Sequence, residues 1–140
     1  MASSYFSLGI APAPFKADVD LENFQWHLVQ AASGGAGLVG SAVGGCNPFP
    51  LGVLVNSPSL GQEAAVVLLG PTKAMVRANA CSLILGRFLT PASNAVLEPI
   101  PLSTCPVFAR YLGPTATTVG ASFLANVFVN PTYAGSTSGS

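Results

Sequence analysis

The sequence predicts an all-β protein, a small β-barrel or β-sandwich preceded by an extended N-terminal arm. Short apolar or alternating runs recur about every 8–12 residues, and turn residues rich in glycine and proline separate them. No stretch keeps a helical period for three turns. A chain of 140 residues is long enough for one domain with a hydrophobic core of its own.

Changes in composition divide the chain into three segments. Residues 1–22 form the predicted arm, in which apolar residues are dispersed and the Ala-Pro-Ala-Pro run of residues 11–14 favours an extended path. Such a segment cannot bury a core of its own, so it either frays or grips a partner. Residues 23–131 form the predicted β domain, and residues 132–140 form a flexible tail of small residues.

Nine runs within the β domain have the length and composition of strands. They cover residues 24–31, 51–55, 63–69, 72–78, 81–85, 88–90, 95–97, 106–112 and 121–129. In the first run, Phe24, Trp26 and Leu28 are expected to share one face because strand side chains alternate. The glycine-rich segment 34–45 is expected to be a flexible connection.

The low charge is the most informative feature of the composition. Half of the residues are hydrophobic and only 7% are charged, whereas about 25% are charged in a typical soluble domain. Five basic and five acidic residues are too few to cover the exterior of a free globule of this size. Much of the surface is therefore expected to be buried in a permanent protein contact.

The same composition argues against nucleic acid and membranes as partners. The net charge is zero and the basic residues are scattered along the sequence, whereas nucleic-acid affinity depends on clustered lysine and arginine. A membrane-spanning helix needs about 20 consecutive apolar residues, and the longest uninterrupted run covers only residues 64–69. We therefore expect neither a nucleic acid nor a membrane as partner.

The residue types of known catalytic and metal sites do not come together in the sequence. Cys46, Cys81 and Cys105 are widely spaced, form no Cys-x-x-Cys pair and are expected to be buried reduced thiols. The one histidine, His27, lies beside Trp26 in an apolar run, where packing is its expected role. We expect no catalytic residue, no cofactor and no metal ion, and therefore no enzyme activity.

Two further patterns admit both a functional and a structural interpretation. The Gly-x-Gly-x-x-Gly of residues 35–40 matches a dinucleotide-binding fingerprint, but residues 44–48 cannot continue the helix that such a site requires. Asp18, Asp20 and Glu22 could form a weak calcium site, but they lie in the predicted arm without a rigid frame. A chance match and a solvated arm are the expected interpretations.

Residues 52–90 hold turn and strand residues in a distinctive order. The positions that define this order are Gly52, Val53, Leu54, Asn56, Pro58, Gly61, Ala64, Val66, Gly70, Thr72, Lys73, Leu85, Gly86, Leu89 and Thr90. The order resembles the small capsid decoration, or cement, proteins of tailed bacteriophages. The sequence departs from that family at Arg87, where an acid is common, and at Phe108, where a glycine is expected.

The resemblance implies a compact, β-tulip-like domain that decorates and stabilises the outside of an icosahedral capsid, commonly as a homotrimer. The implied partners are the major capsid protein and further copies of the chain. The implied location is the exterior of the virion, after assembly in the host cytoplasm. The N-terminal arm is then expected to grip the capsid or neighbouring subunits.

Six apolar residues are candidate anchors for such contacts, because large apolar side chains concentrate binding energy at interfaces. They are Tyr5, Phe6, Leu8, Ile10, Phe15 and Trp26. Core packing is an equally good interpretation for Trp26. Two other functions remain open: a self-assembling phage subunit, such as a small capsid or tail-tube protein, and a carbohydrate-binding or enzymatic β domain. The last requires clustered aromatic and acidic residues around a concave site.

Overall fold

The computed structural model describes residues 13–42, 50–78, 82–99, 107–116 and 121–131, and within them the predicted all-β class is confirmed. The described residues form ten strands and a three-residue 3-10 helix, Ser93–Ala95. The strands are β1 (Ala13–Ala17), β2 (Leu28–Ala31), β3 (Leu38–Ser41), β4 (Gly52–Leu54), β5 (Glu63–Val67), β6 (Gly70–Arg77), β7 (Phe88–Ala92), β8 (Val96–Pro99), β9 (Ala109–Tyr111) and β10 (Ser122–Val129).

The first five strands close into a barrel, here called barrel 1. Their order is β1-β3-β2-β4-β5, and β5 pairs back with β1. The β1–β3 pairing is parallel, whereas the other four are antiparallel. Small and branched apolar side chains fill the interior, because a five-stranded barrel leaves little room inside. They are Ala17, Leu21, Val29, Val39, Leu54, Ala64 and Val66.

The last five strands close into a second barrel, barrel 2, in the order β10-β6-β8-β7-β9. The eight-residue strands β6 and β10 pair along their whole length, from Gly70 opposite Val129 to Arg77 opposite Ser122. Fully buried Phe108 and Tyr111 are the largest side chains of its core. The predicted single barrel or sandwich is thus a pair of barrels in sequence.

One wall of barrel 1 is buried on both of its faces, and its outer face forms part of the core of barrel 2. In β2, β4 and β5, neighbouring residues point to opposite faces, yet each strand contains two consecutive buried residues, namely Leu28–Val29, Val53–Leu54 and Val66–Val67. One set of these side chains fills barrel 1, while Leu28, Val53 and Val67 belong to the core cluster of barrel 2. Burial on both faces explains why these strands consist mostly of consecutive apolar residues and do not alternate between apolar and polar residues.

The segment before β2 turns where the sequence predicts a strand over residues 24–31. The amide of His27 donates to the carbonyl oxygen of Phe24 at 3.0 Å, and Trp26 has a φ of 71°. The Trp26 amide donates to the Leu54 carbonyl in barrel 1 at 2.6 Å, and its carbonyl accepts from the Met75 amide of β6 at 2.8 Å. These two bonds join the barrels and hold Trp26 in its left-handed conformation.

The predicted arm of residues 1–22 overlaps barrel 1. Residues 13–17 form β1, paired with both β3 and β5, and Leu21 is completely buried. The boundary predicted at residue 22 therefore differs from the structure. Long-range pairing, which local composition does not reveal, orders this stretch. Residues 1–12 of the predicted arm and the predicted tail 132–140 lie outside the described residues.

Two further local predictions were wrong. The segment 34–45 contains strand β3, and Gly37, at a φ of 77°, makes the turn that precedes it. Within residues 82–85 of the predicted strand 81–85, Leu83 alone forms an isolated bridge, in which the amides of Leu83 and Ala116 donate to each other's carbonyls at 2.8 and 2.9 Å. Strand β3 was not predicted because glycine is depleted in strands, and a strand over residues 81–85 was predicted because the segment is apolar.

The close approach of β4 to β5 gives a stability prediction at Gly52. A Cβ atom there would overlap the carbonyl oxygen of Val67 and the side chain of Val66. We expect Gly52→Ala to lower the free energy of unfolding by about 1–3 kcal/mol, measured by denaturant titration. Gly40→Ala in β3 is the matched control, since nothing lies within 4 Å of its Cβ position. Equal losses in both variants would contradict this packing.

Candidate functional site

The outward face of barrel 2 carries large apolar side chains on strands whose inward residues already fill the core. In β10 the inward residues Ala125, Val127 and Val129 are buried, whereas Leu124, just before them, and Phe128, between the two valines, are exposed. This alternation follows from strand geometry. Burial accounts for the inward set alone, so the outward apolar residues call for a separate explanation.

The strand register brings the outward residues into one row across four strands. Phe88 of β7 lies opposite Arg110 of β9, Arg110 lies opposite Phe128 of β10, and Phe128 lies opposite Pro71 of β6. Side chains directly opposite each other on adjacent strands are in contact range. With Leu112, which follows β9, the residues Phe88, Arg110 and Phe128 form the surface here called the aromatic face.

Arg110 lies at the centre of the aromatic face. Its guanidinium carbon is 5.0 Å from the centroid of the Phe88 ring, a cation–π distance. No carboxylate among the described residues is within ion-pair distance of it. The face surrounds an open depression of about 560 Å³. Its lining residues are Phe88, Val107, Ala109, Arg110, Leu112, Phe128 and Asn130.

Buried Tyr111 holds the edge of the aromatic face in place. Its hydroxyl donates to the carbonyl oxygen of Pro114 at 2.6 Å, and the amide of Leu112 donates to the carbonyl of Asn126 at 2.9 Å. Gly113 lies so close that a Cβ atom there would sit 2.7 Å from the Tyr111 hydroxyl oxygen. The loop after β9 is therefore fixed, and Leu112 is held on the surface at 39% exposure.

The exposure of the aromatic face marks it as a contact surface. Phe88 is 46% exposed and Phe128 is 36% exposed. Contiguous apolar patches with polar rims are typical of protein interaction sites on soluble proteins. A cation framed by aromatic rings adds a specific charge to such a surface. The arrangement suits the binding of an apolar surface that also presents a carboxylate.

Two of the six predicted anchors lie within the described residues. Phe15 is half-buried and packs against the core of barrel 1. Trp26 is also half-buried, and its backbone joins the two barrels. The fold does not place either side chain on the aromatic face. Tyr5, Phe6, Leu8 and Ile10 lie outside the described residues, so their proposed contacts stay predictions.

The residues considered for chemistry have structural partners. Nδ1 of His27 lies 3.1 Å from the carbonyl oxygen of Gln25, and its ring meets Phe24 edge-on at 5.6 Å. The glycine pattern 35–40 spans the turn before β3 and part of that strand, where a nucleotide site needs a helix. Cys46, Cys81 and Cys105 lie outside the described residues.

Across the described residues, no three His, Cys, Asp or Glu side chains come together in a group that could hold a metal ion. None of the helices in this part of the chain is long and apolar enough to cross a membrane.

The sequence signal for the aromatic face was present but incomplete. The runs 88–90 and 121–129 were predicted as strands, and their alternation separates two faces. Which face turns outward depends on the partner strands of the barrel. The convergence of Phe88, Arg110 and Phe128 depends on pairings between distant segments. Neither property is visible from local pattern alone.

The chain resembles known proteins in structure and not in sequence. No protein-family model matches the chain, and neither does any curated protein sequence. The chain is similar to a solved structure described as the N base of the head fiber gp8.5 of bacteriophage phi29. The TM-score is 0.57, the identity is 15%, and the match covers 84% of this chain and 92% of that one. The likeness shows a shared all-β fold.

The buried phenol of Tyr111 predicts a loss of stability at alkaline pH. Burial raises its pKa above the ordinary value of 10.0. The neutral phenol therefore stabilises the folded protein. This contribution is complete below the pKa that Tyr111 has in the unfolded chain, and it is lost as the pH rises through the pKa that Tyr111 has in the folded protein. We expect Tyr111→Phe to lower the free energy of unfolding by about 1 kcal/mol at neutral pH, because the bond to Pro114 is lost.

The same variant should flatten the pH dependence. Above pH 10, unfolding free energies from denaturant titration should fall less steeply for Tyr111→Phe than for the wild type. Identical slopes in the two proteins would show that Tyr111 ionises as easily folded as unfolded.

Proposed function

We propose that this chain is a structural protein of a tailed-bacteriophage virion, which decorates and stabilises the outer surface of an icosahedral capsid as a homotrimer. The observation that carries the proposal is the structural likeness over 84% of this chain to a protein described as the base of a phage head fiber. The resemblance of residues 52–90 to capsid decoration proteins points to the same kind of particle.

The surface of the chain supports a role in assembly. Charged residues make up 7% of the sequence, and ten large hydrophobic side chains in the described ranges are exposed. Such a surface needs a partner to cover it. A protein that binds the assembled shell and not its loose subunits stabilises the shell by mass action. The proposed role involves no catalytic step, cofactor, nucleic acid or membrane.

The proposed arm is the chain that precedes β1. Since β1 begins at Ala13, residues 1–12 lie before barrel 1, and twelve residues span about 40 Å when fully extended. Tyr5, Phe6, Leu8 and Ile10 are the proposed contact residues of this segment, binding the major capsid protein or another copy.

The test of the proposed function is the composition of purified phage particles. We expect quantitative mass spectrometry to find the chain in particles of the phage that encodes it, at a fixed ratio to the major capsid protein. Particles made without its gene should bind the purified chain to saturation on the head, seen by electron cryomicroscopy, and should then release DNA at a higher temperature. Absence from particles, or a location in the tail, would contradict the proposal. So would shells or tubes formed by the purified chain alone.

The boundary of β1 defines the test of the arm. Deleting residues 2–12 should reduce occupancy on particles and leave the free energy of unfolding unchanged, because β1 stays complete. Deleting residues 2–16 is the comparison: it removes the β1 residues that pair with β5 and should destabilise the fold. Unchanged occupancy after the shorter deletion would show that the arm makes no essential contact.

A further inference from the structure

The ten charged residues of the chain, all within the described ranges, divide by sign between the barrels. Barrel 1 carries one lysine and four carboxylates, for a formal charge of −3, and barrel 2 carries four cations and one carboxylate, for +3. In barrel 1 they are Lys16, Asp18, Asp20, Glu22 and Glu63; in barrel 2 they are Lys73, Arg77, Arg87, Glu98 and Arg110. The neutral chain is therefore electrically two-sided.

The acidic side of barrel 1 also exposes apolar side chains. In the segment after β1, Val19 is 47% exposed between Asp18 and Asp20. The turn that carries Leu60, at 66% exposure, packs against this segment, since the amide of Gly61 donates to the carbonyl of Ala17 at 2.9 Å. We call Asp18, Val19, Asp20, Glu22 and Leu60 the acidic surface.

Hydrogen bonds hold the acidic surface in shape. The Ser59 hydroxyl donates to Oε2 of Glu22 at 2.5 Å, and the Glu22 amide donates to Oδ1 of Asp20 at 3.0 Å. The acidic segment that carries exposed Val19 is therefore tied to the turn that carries exposed Leu60. The aromatic face of barrel 2 has the opposite charge, since its apolar side chains surround one cation.

We propose that the acidic surface of one copy binds the aromatic face of a second copy, head to tail. Val19 and Leu60 would pack against Phe88 and Phe128, and a carboxylate from the acidic surface would pair with Arg110. This inference rests on the proposed homo-oligomer and names its interface. A foreign partner of one charge sign would fit one of the two surfaces, whereas a second copy complements both.

The charges disfavour an interface that pairs two like surfaces. Packing two aromatic faces together would bring Arg110 of one copy near Arg110 of the other. Packing two acidic surfaces together would bring carboxylates near carboxylates. Both arrangements are unfavourable because like charges at an interface repel each other. A contact that each pair of copies makes once, through two different surfaces, is heterologous, and it generates a closed ring when its rotation closes. A trimeric ring is the state that agrees with the proposed decoration protein.

A charge-reversal cycle on the full-length chain tests the interface. Arg110→Glu alone and the pair Asp18→Lys with Asp20→Lys alone should each raise the dissociation constant at least about tenfold, because each opposes like charges. The triple variant should regain most of the wild-type affinity, since the charges are then exchanged and again opposite. Analytical ultracentrifugation over a concentration series measures all four proteins.

Controls separate the interface from the fold. The exchanged side chains are exposed or half-exposed, so each variant should keep the wild-type circular dichroism. Asp20→Asn, which keeps an acceptor for the Glu22 amide, separates the effect of charge from the loss of that hydrogen bond. Leu60→Ser, which alters no charge, should weaken association without affecting the fold. Raising the salt from about 0.05 to about 1 M should also weaken it, because the Debye length falls to about 3 Å.

The outcomes are decisive and independent of the capsid. A monomeric wild type, or reversal at Asp18 and Asp20 without effect, would overturn the head-to-tail contact. Loss of affinity in all reversal variants with no recovery in the triple variant would overturn it too. Because these measurements use the purified chain, they can fail while particle binding succeeds, and the particle experiment can fail while they succeed.

Discussion

The two-sided burial of one barrel wall is the constraint on which the rest of the structure depends. Leu28, Val53 and Val67 face barrel 2 from strands whose other side fills barrel 1. No solvent-facing side is left there for charged residues. Space is so limited that Gly52 accepts no side chain beside β5. A shared wall of this kind removes much polar surface that two separate barrels would need.

Folding requires the inward residues of barrel 2 to be apolar, but it places no such requirement on the outward residues. Val127 and Val129 must be apolar because they lie in the core, whereas Phe128 between them could be polar at no cost to packing. The same freedom applies to Phe88. Apolar residues at positions where the fold does not require them indicate function, and here they surround Arg110, which has no carboxylate partner among the described residues.

Local pattern was sufficient to predict some elements and insufficient for others. β6 and β10 were predicted because alternation over eight residues leaves little ambiguity. β1 was missed because Pro14 suggests an isolated extended segment; Pro14 lies in the part of β1 that pairs with β5 alone. The acidic surface and the aromatic face were not predicted, although the sequence carries most of its acidic residues in its first half and most of its basic residues in its second half. Because the two halves of the sequence form two barrels, this bias places most of the acidic residues on barrel 1 and most of the basic residues on barrel 2.

The shared wall also limits how this architecture can be inherited. A domain that moves between genes as a module must remain folded when its neighbour is removed. Barrel 1 without barrel 2 would expose Leu28, Val53 and Val67 to water, and barrel 2 would lose part of its core. The backbone bonds of Trp26 would be divided between the fragments as well. The smallest exchangeable module is therefore the pair of barrels, and variation between descendants is expected to accumulate in the connecting loops.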